Sequence, residues 1–102
     1  MTRREKLEAM LAGEPLDQLL RYMLAMELDK EGDNRLSLSY LGGLMDDAVP
    51  YVPAFLMAGQ QLTRVDRIEE ARAAFQRGID AAHQQGDSHA FEELKRFLSE
   101  LD

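Results

Sequence analysis

Cysteine and tryptophan are absent from the 102 residues. The lack of cysteine excludes disulfides, thiol catalysis and zinc-thiolate sites. Basic residues are scarce: 12 Lys and Arg stand against 19 Asp and Glu, for a net charge of −7. Both halves of the chain are net acidic, so no basic half or tail exists. Nucleic acid and anionic membranes, which require clustered Lys and Arg, are therefore not expected partners. No apolar run reaches membrane-spanning length before a charge breaks it. Arg3 and Arg4 are followed by Glu5, Lys6 and Glu8, where a secretory signal needs an apolar run. A soluble, cytoplasmic protein is the expectation. The 45% of apolar residues suffices for one domain with one continuous core.

Turn-forming clusters punctuate the chain at Gly13-Glu14-Pro15, Gly32-Asp33-Asn34, Val49 to Pro53, Val65-Asp66-Arg67 and Gly86-Asp87. Between them apolar residues recur with a helical period, and no stretch alternates as a strand would. Six helices follow. The first spans about Arg3 to Ala12, opened by a Thr2/Glu5 capping box, with Leu7, Met10 and Leu11 as its stripe. The second spans about Leu16 to Glu31, with Pro15 in its first turn. Leu19, Leu20, Met23, Leu24 and Leu28 form one face, which Leu16, Tyr22, Ala25 and Met26 widen nearly all the way round. Gly32 then predicts a left-handed exit and Asp33 an N-cap.

The third helix spans about Asn34 to Ala48, with Leu38, Leu41, Leu44 and Met45 inward. Gly42 and Gly43 either weaken it or mark a close helix–helix approach, and the former is favoured. The fourth spans about Tyr51 to Arg64, with Phe55, Ala58, Gly59 and Leu62 on one face. The fifth spans about Arg67 to Gln85, with Asp66 as its cap, Glu69 as the N3 acid, and Ile68, Ala71, Phe75, Ile79 and Ala82 inward. The sixth spans about Ser88 to Leu101, with Phe91, Leu94, Leu98 and Leu101 inward and Phe97 beside them.

Residues 18–51 and 52–85 form successive helical hairpins at a spacing of 34. Under this shift Met23 falls on Met57, Leu28 on Leu62 and Asp46 on Asp80, and Ala25 falls on Gly59 and Leu41 on Phe75. Size is matched better than identity, as a packing repeat requires. A 34-residue helix–turn–helix period is the length of the tetratricopeptide repeat (TPR). The second unit resembles that family through Phe55, Ala58-Gly59 and Leu62 on its first helix and Ala71, Phe75 and Gly78 on its second. Gly59 and Ala71 allow close approach within a hairpin, and Phe75 fills the gap between hairpins. The first unit matches through Ala25, Leu28, Gly32, Ser37 and Leu41. It departs at Arg21, where a large apolar residue is usual, and at Leu44, where a small one is. The resemblance covers about residues 16–85. It implies an all-α superhelix with an N-terminal capping helix (1–15), repeat 1 (16–51), repeat 2 (52–85) and a C-terminal capping helix (86–102).

Signals for chemistry are sparse. His83 and His89 straddle a Gly-Asp turn with no third ligand at useful spacing, and they read as surface histidines. Asp29, Glu31 and Asp33 surround Gly32 but lack the spacing of a calcium loop. Gly42-Gly43 has no Lys-Ser/Thr after it and is no phosphate loop. Ser37 and Ser39 have no His nearby in sequence. No cofactor, metal or catalytic residue is expected. The family resemblance implies instead a non-catalytic protein–protein interaction module, whose first helices line a concave groove for a peptide or helix of an unknown partner. Carried onto this chain, the groove face shows Tyr22, Met26, Asp29 and Lys30 on the second helix and Leu56, Gln60, Thr63 and Arg64 on the fourth. Tyr22, Met26 and Leu56 beside Lys30 and Arg64 suit a short amphipathic or acidic-ended ligand. Tyr22 and Met26 occupy positions where the family's carboxylate clamp needs Lys and Asn, which disfavours that subclass. Pairing of the same face in a homodimer, or permanent docking in a larger assembly, is the alternative.

Overall fold

The computed structural model describes residues 1–101. Asp102, the end of the expected C-terminal cap, lies outside the described residues. Six helices run in order: α1 (Arg3–Gly13), α2 (Gln18–Lys30), α3 (Asn34–Met45), α4 (Val52–Arg64), α5 (Ile68–Gln85) and α6 (Ser88–Ser99). There is no strand among the described residues. Each helix packs on the next in sequence, and α4 also touches α6. Short connections turn the chain back at each step, so neighbours are antiparallel. The result is an elongated stack of 42 × 29 × 18 Å.

The helix starts and stops have local causes. Thr2 and Glu5 form the expected capping box: the Glu5 N–H donates to Thr2 Oγ1 at 3.1 Å, and the Thr2 N–H to Glu5 Oε1 at 2.9 Å. The Thr2 backbone and side-chain hydrogen bonds hold the Glu5 carboxyl below its usual value. Gly32 leaves α2 with φ +84°, and the Asp33 N–H then donates to Leu28 O at 2.9 Å. The Asp33 carboxylate accepts from Leu36 N at 3.2 Å and caps α3. Gly86 and Asp87 repeat this pattern between α5 and α6, with Asp87 accepting from Ala90 N at 3.1 Å.

The α4–α5 turn has the same backbone path with different residues. Here Asp66 takes the left-handed position at φ +63°, and the Arg67 N–H donates to Leu62 O at 2.9 Å. Asp66 is therefore not the cap of α5. The cap position belongs to Arg67, which makes no side-chain capping bond. The left-handed exit uses one residue more than the sequence reading allowed, placing the carboxylate one position too early. A similar shift moves the start of α2 from Leu16 to Gln18. Asp17 accepts from Leu20 N at 2.8 Å and caps the helix, leaving Pro15 and Leu16 in the preceding turn. The third helix ends at Met45 rather than Ala48, and the Tyr51 N–H reaches back to Leu44 O at 3.1 Å.

The main core runs through α2 to α6, with Phe55, Phe75, Leu41, Leu44 and Leu94 as its large buried members. A smaller cluster of Leu7, Leu24 and Leu28 seats α1, and Tyr40 packs against both. Arg3–Glu27 (3.3 Å) and Arg4–Glu31 (3.1 Å) flank that cluster. Three residues assigned to core stripes are on the surface: Met10 is 55%, Leu16 83% and Leu19 56% exposed. α1 covers only one side of α2, so a helix apolar nearly all round keeps one side open.

Close packing centres on α4 and α5. A Cβ built on Gly59 would lie within 2.6 Å of three ring carbons of Phe75, and one on Gly78 2.6 Å from Phe55 Cβ. Each Phe thus lies on a glycine of the opposite helix. Phe75 therefore packs within its own hairpin as well as outward, where its ring stacks on Phe97 of α6 at 6.0 Å. Gly42 has nothing within 4 Å, and Gly43 only Arg21 Nη1 at 3.9 Å. No close approach occurs there, so these two glycines weaken α3 without a packing return.

The first hairpin replaces this aromatic packing with an ion pair. Arg21, one 34-residue period before Phe55, reaches Asp47 Oδ2 at 2.5 Å and Leu16 O at 3.0 Å. Gln18 donates to the same carboxylate at 2.9 Å and to Val49 O at 2.8 Å. These bonds, Arg21's first, hold the Asp47 carboxyl below its usual value. A second polar link is fully buried. Ser37 Oγ donates to Ala25 O at 2.7 Å and accepts from Gln61 Nε2 at 2.9 Å, tying α2, α3 and α4 together.

Candidate functional site

Tyr22, Met26, Asp29 and Lys30 project from α2 at helical spacing, and Leu56, Gln60, Thr63 and Arg64 from α4. The structure places six of the eight in two clefts beside α6. Asp29, Gln60, Thr63 and Arg64 line the first, of about 510 Å³, together with Phe75, Phe97, Glu100 and Leu101. Tyr22 and Leu56 line the second, of about 200 Å³, with Pro53, Ala90, Glu93 and Leu94 among its other walls. Met26 is half-buried and Lys30 exposed, and neither lines a cleft. A further recess of about 550 Å³, with Leu38, Met45, Leu62 and Val65 in its wall, involves none of the eight.

Electrostatics in the first cleft centre on one pair. Arg64 Nη2 donates to Asp29 Oδ1 at 3.2 Å and Oδ2 at 3.0 Å, bridging α4 to α2. Thr63 Oγ1 spends its proton on Gly59 O at 2.7 Å, one turn back, so it offers a ligand an acceptor. In the second cleft the Tyr22 ring tilts against Tyr51 at 5.3 Å. Burial, then the neighbouring Tyr51, pushes the Tyr22 phenol above its usual value. Leu56 packs partly against the main core.

The sixth helix and the two residues after it supply walls that the sequence reading left out. Phe97, Glu100 and Leu101 line the first cleft, and Ala90, Glu93 and Leu94 the second. The signal was present: shifting Asp29 by 34 gives Thr63, and shifting again gives Phe97. The helix expected as a cap thus stands beside α4 with its own residues facing the clefts.

Other candidates resolve into structural roles. Of the acids around Gly32, Asp29 pairs with Arg64, Glu31 with Arg4, and Asp33 caps α3. No group of three His, Asp or Glu side chains able to hold a metal occurs among the described residues. His83 and His89 are exposed, and the His83 ring lies 5.9 Å from Phe91.

A tetratricopeptide repeat domain protein from Salinibacter ruber superposes with a TM-score of 0.81 at 26% identity, over 86% of this chain and 89% of that one. A protein from Bordetella parapertussis superposes with a TM-score of 0.80 at 31% identity, over 99% of this chain and 88% of that one. The chain is a small TPR-like helical protein. No protein-family model matches it, and neither does any curated protein at a significant level. The TPR-like fold is typically non-catalytic and suggests a protein-interaction module. No helix among the described residues is long and apolar enough to cross a membrane.

Proposed function

We propose that this TPR-like protein is a non-catalytic adaptor that holds a peptide or short helix of a partner protein against α2, α4 and α6. The supporting observation is the first cleft, where Asp29, Gln60, Thr63 and Arg64 meet the apolar wall of Phe75, Phe97 and Leu101. An apolar recess with a few fixed polar groups is the usual form of a binding site. Tyr22 and Leu56 extend the surface into the second cleft, and Met26 and Lys30 flank it on α2. The test is affinity capture from the source cell's lysate with wild type beside a folded Leu56→Gln/Gln60→Trp variant. A protein retained by wild type and lost by the variant supports the reading. Identical captures refute it.

Self-association is the second reading, and exposed aliphatic side chains favour it. Leu16, Leu19 and Val49 lie around the start of α2 and the loop that Gln18 ties to it. Only Leu19 shares the helix face of Tyr22 and Met26, so a dimer would use a surface centred away from the clefts. A sedimentation mass equal to one chain at micromolar concentration rules this out.

A further inference from the structure

We infer that the two clefts accept a cationic, apolar segment, in which Lys or Arg alternates with Leu or Phe, rather than an acidic one. This rests on the binding-module reading and specifies the ligand. From sequence, Tyr22, Met26 and Leu56 beside Lys30 and Arg64 pointed to a short amphipathic or acidic-ended ligand. In the fold Lys30 lines neither cleft, and Arg64 is the one Lys or Arg that does among the described residues. Its guanidinium is already engaged by both oxygens of Asp29. Arg96, whose guanidinium carbon lies 5.2 Å over the Phe97 ring, comes within 4.0 Å of Glu93. The nearby cations are thus matched by acids, and acids remain in excess. Glu100 lines the first cleft, and Asp87, the cap of α6, lines the second beside His89 and the Arg96-paired Glu93.

The floors complement these acids. The stacked Phe75 and Phe97 rings, with Leu101, floor the first cleft, and Leu56, Pro53 and Leu94 the second. Lys and Arg carry an apolar stem and a charged head. A stem laid on Leu101 or Leu56 shares its cleft with Glu100 or Glu93. An acidic ligand side chain would be desolvated beside like charge, which selects against it.

The test uses three fluorescent peptides sharing one Leu/Phe pattern, with the polar positions filled by Lys, Glu or Gln, and reads binding by anisotropy. The Lys peptide should bind tightest. Glu93→Gln/Glu100→Gln should weaken it roughly fivefold, as expected for loss of two exposed ion pairs. A charge-matched Glu14→Gln/Asp80→Asn variant, changed at exposed residues outside both clefts, should leave it within about twofold. Equal loss in the two variants would reduce the effect to net charge and overturn the inference. Tighter binding of the Glu or Gln peptide, still blocked by Leu56→Gln or Gln60→Trp, would overturn the cationic preference while leaving the groove. Binding of none of the three, or binding indifferent to both blocking variants, would overturn the groove and the preference together.

Discussion

Gly59→Ala and Gly42→Ala are the same chemical change on two helices of one protein, and they should move stability in opposite directions. Ala is favoured over Gly inside a helix by about 1 kcal/mol. At Gly42 a Cβ meets nothing within 4 Å, so most of that gain survives. The expected shift is about +0.5 to 1 kcal/mol, or roughly +4 °C in Tm for a domain of this size. At Gly59 the Cβ would stand within 2.6 Å of three Phe75 ring carbons. That ring is 1% exposed and stacked on Phe97, so it cannot turn aside without parting α4 from α5 or α6. Overpacking of this kind costs about 3 kcal/mol at the upper end of its usual range. Net of the helix gain, Gly59→Ala should lose about 2 kcal/mol, or roughly 10 °C in Tm. Urea unfolding followed by circular dichroism measures both. Adding Phe75→Leu to Gly59→Ala should cost less than the two separate changes combined, because the pair is in contact. Equal signs for the two alanine variants, or strict additivity in the double variant, would refute the packing account.

Asp66→Gly with Arg67→Asp converts the α4–α5 turn into the Gly-Asp form of the α2–α3 and α5–α6 turns. It should stabilise by about 1 kcal/mol, by relieving a left-handed non-glycine and adding a missing cap; an unchanged thermal midpoint would argue against it. Ser37→Ala removes the acceptor of Gln61 Nε2 and should cost about 2 kcal/mol, of which Ser37→Ala/Gln61→Leu should restore part, as a double-mutant cycle will show. Asp47→Asn should cost about 1 kcal/mol at neutral pH. Because Arg21 lowers the folded carboxyl, its contribution is present above the ordinary carboxylate range and disappears as pH falls through the lowered value. Wild type and Asp47→Asn should therefore converge as pH falls below the ordinary carboxylate range in acid titrations monitored by circular dichroism, and a gap constant with pH would contradict this.

Local chemistry was readable from residue order. The capping box at Thr2/Glu5 and the glycine exit and cap at Gly32-Asp33 each act over one or two helical turns. Their consequences do not depend on what packs around them. The 34-residue spacing likewise reports pairwise packing, since each hairpin must present the same shape to its neighbour. Asp66 misled because a left-handed aspartate is uncommon and Asp is a common cap, although the 34-residue shift sets it on Gly32. Leu16, Leu19 and Met10 misled because hydrophobicity states what a helix could bury, whereas the position of α1 decides what is covered.

The candidate site divides along the same line. Residue order placed Tyr22, Met26, Asp29 and Lys30 on one helix face and Leu56, Gln60, Thr63 and Arg64 on another, because helical pitch alone determines that. The 34-residue shift pointed to Phe97, but only the fold brought Glu100 and Leu101 alongside, since α6 reaches α4 through packing between residues distant in sequence. Only the fold paired Arg64 with Asp29, 35 positions away, and so changed the charge the cleft presents. Helix period and turn chemistry are properties of neighbouring residues and are written in their order. Which faces stay open, and which charges remain unpaired on them, depends on how the helices stack.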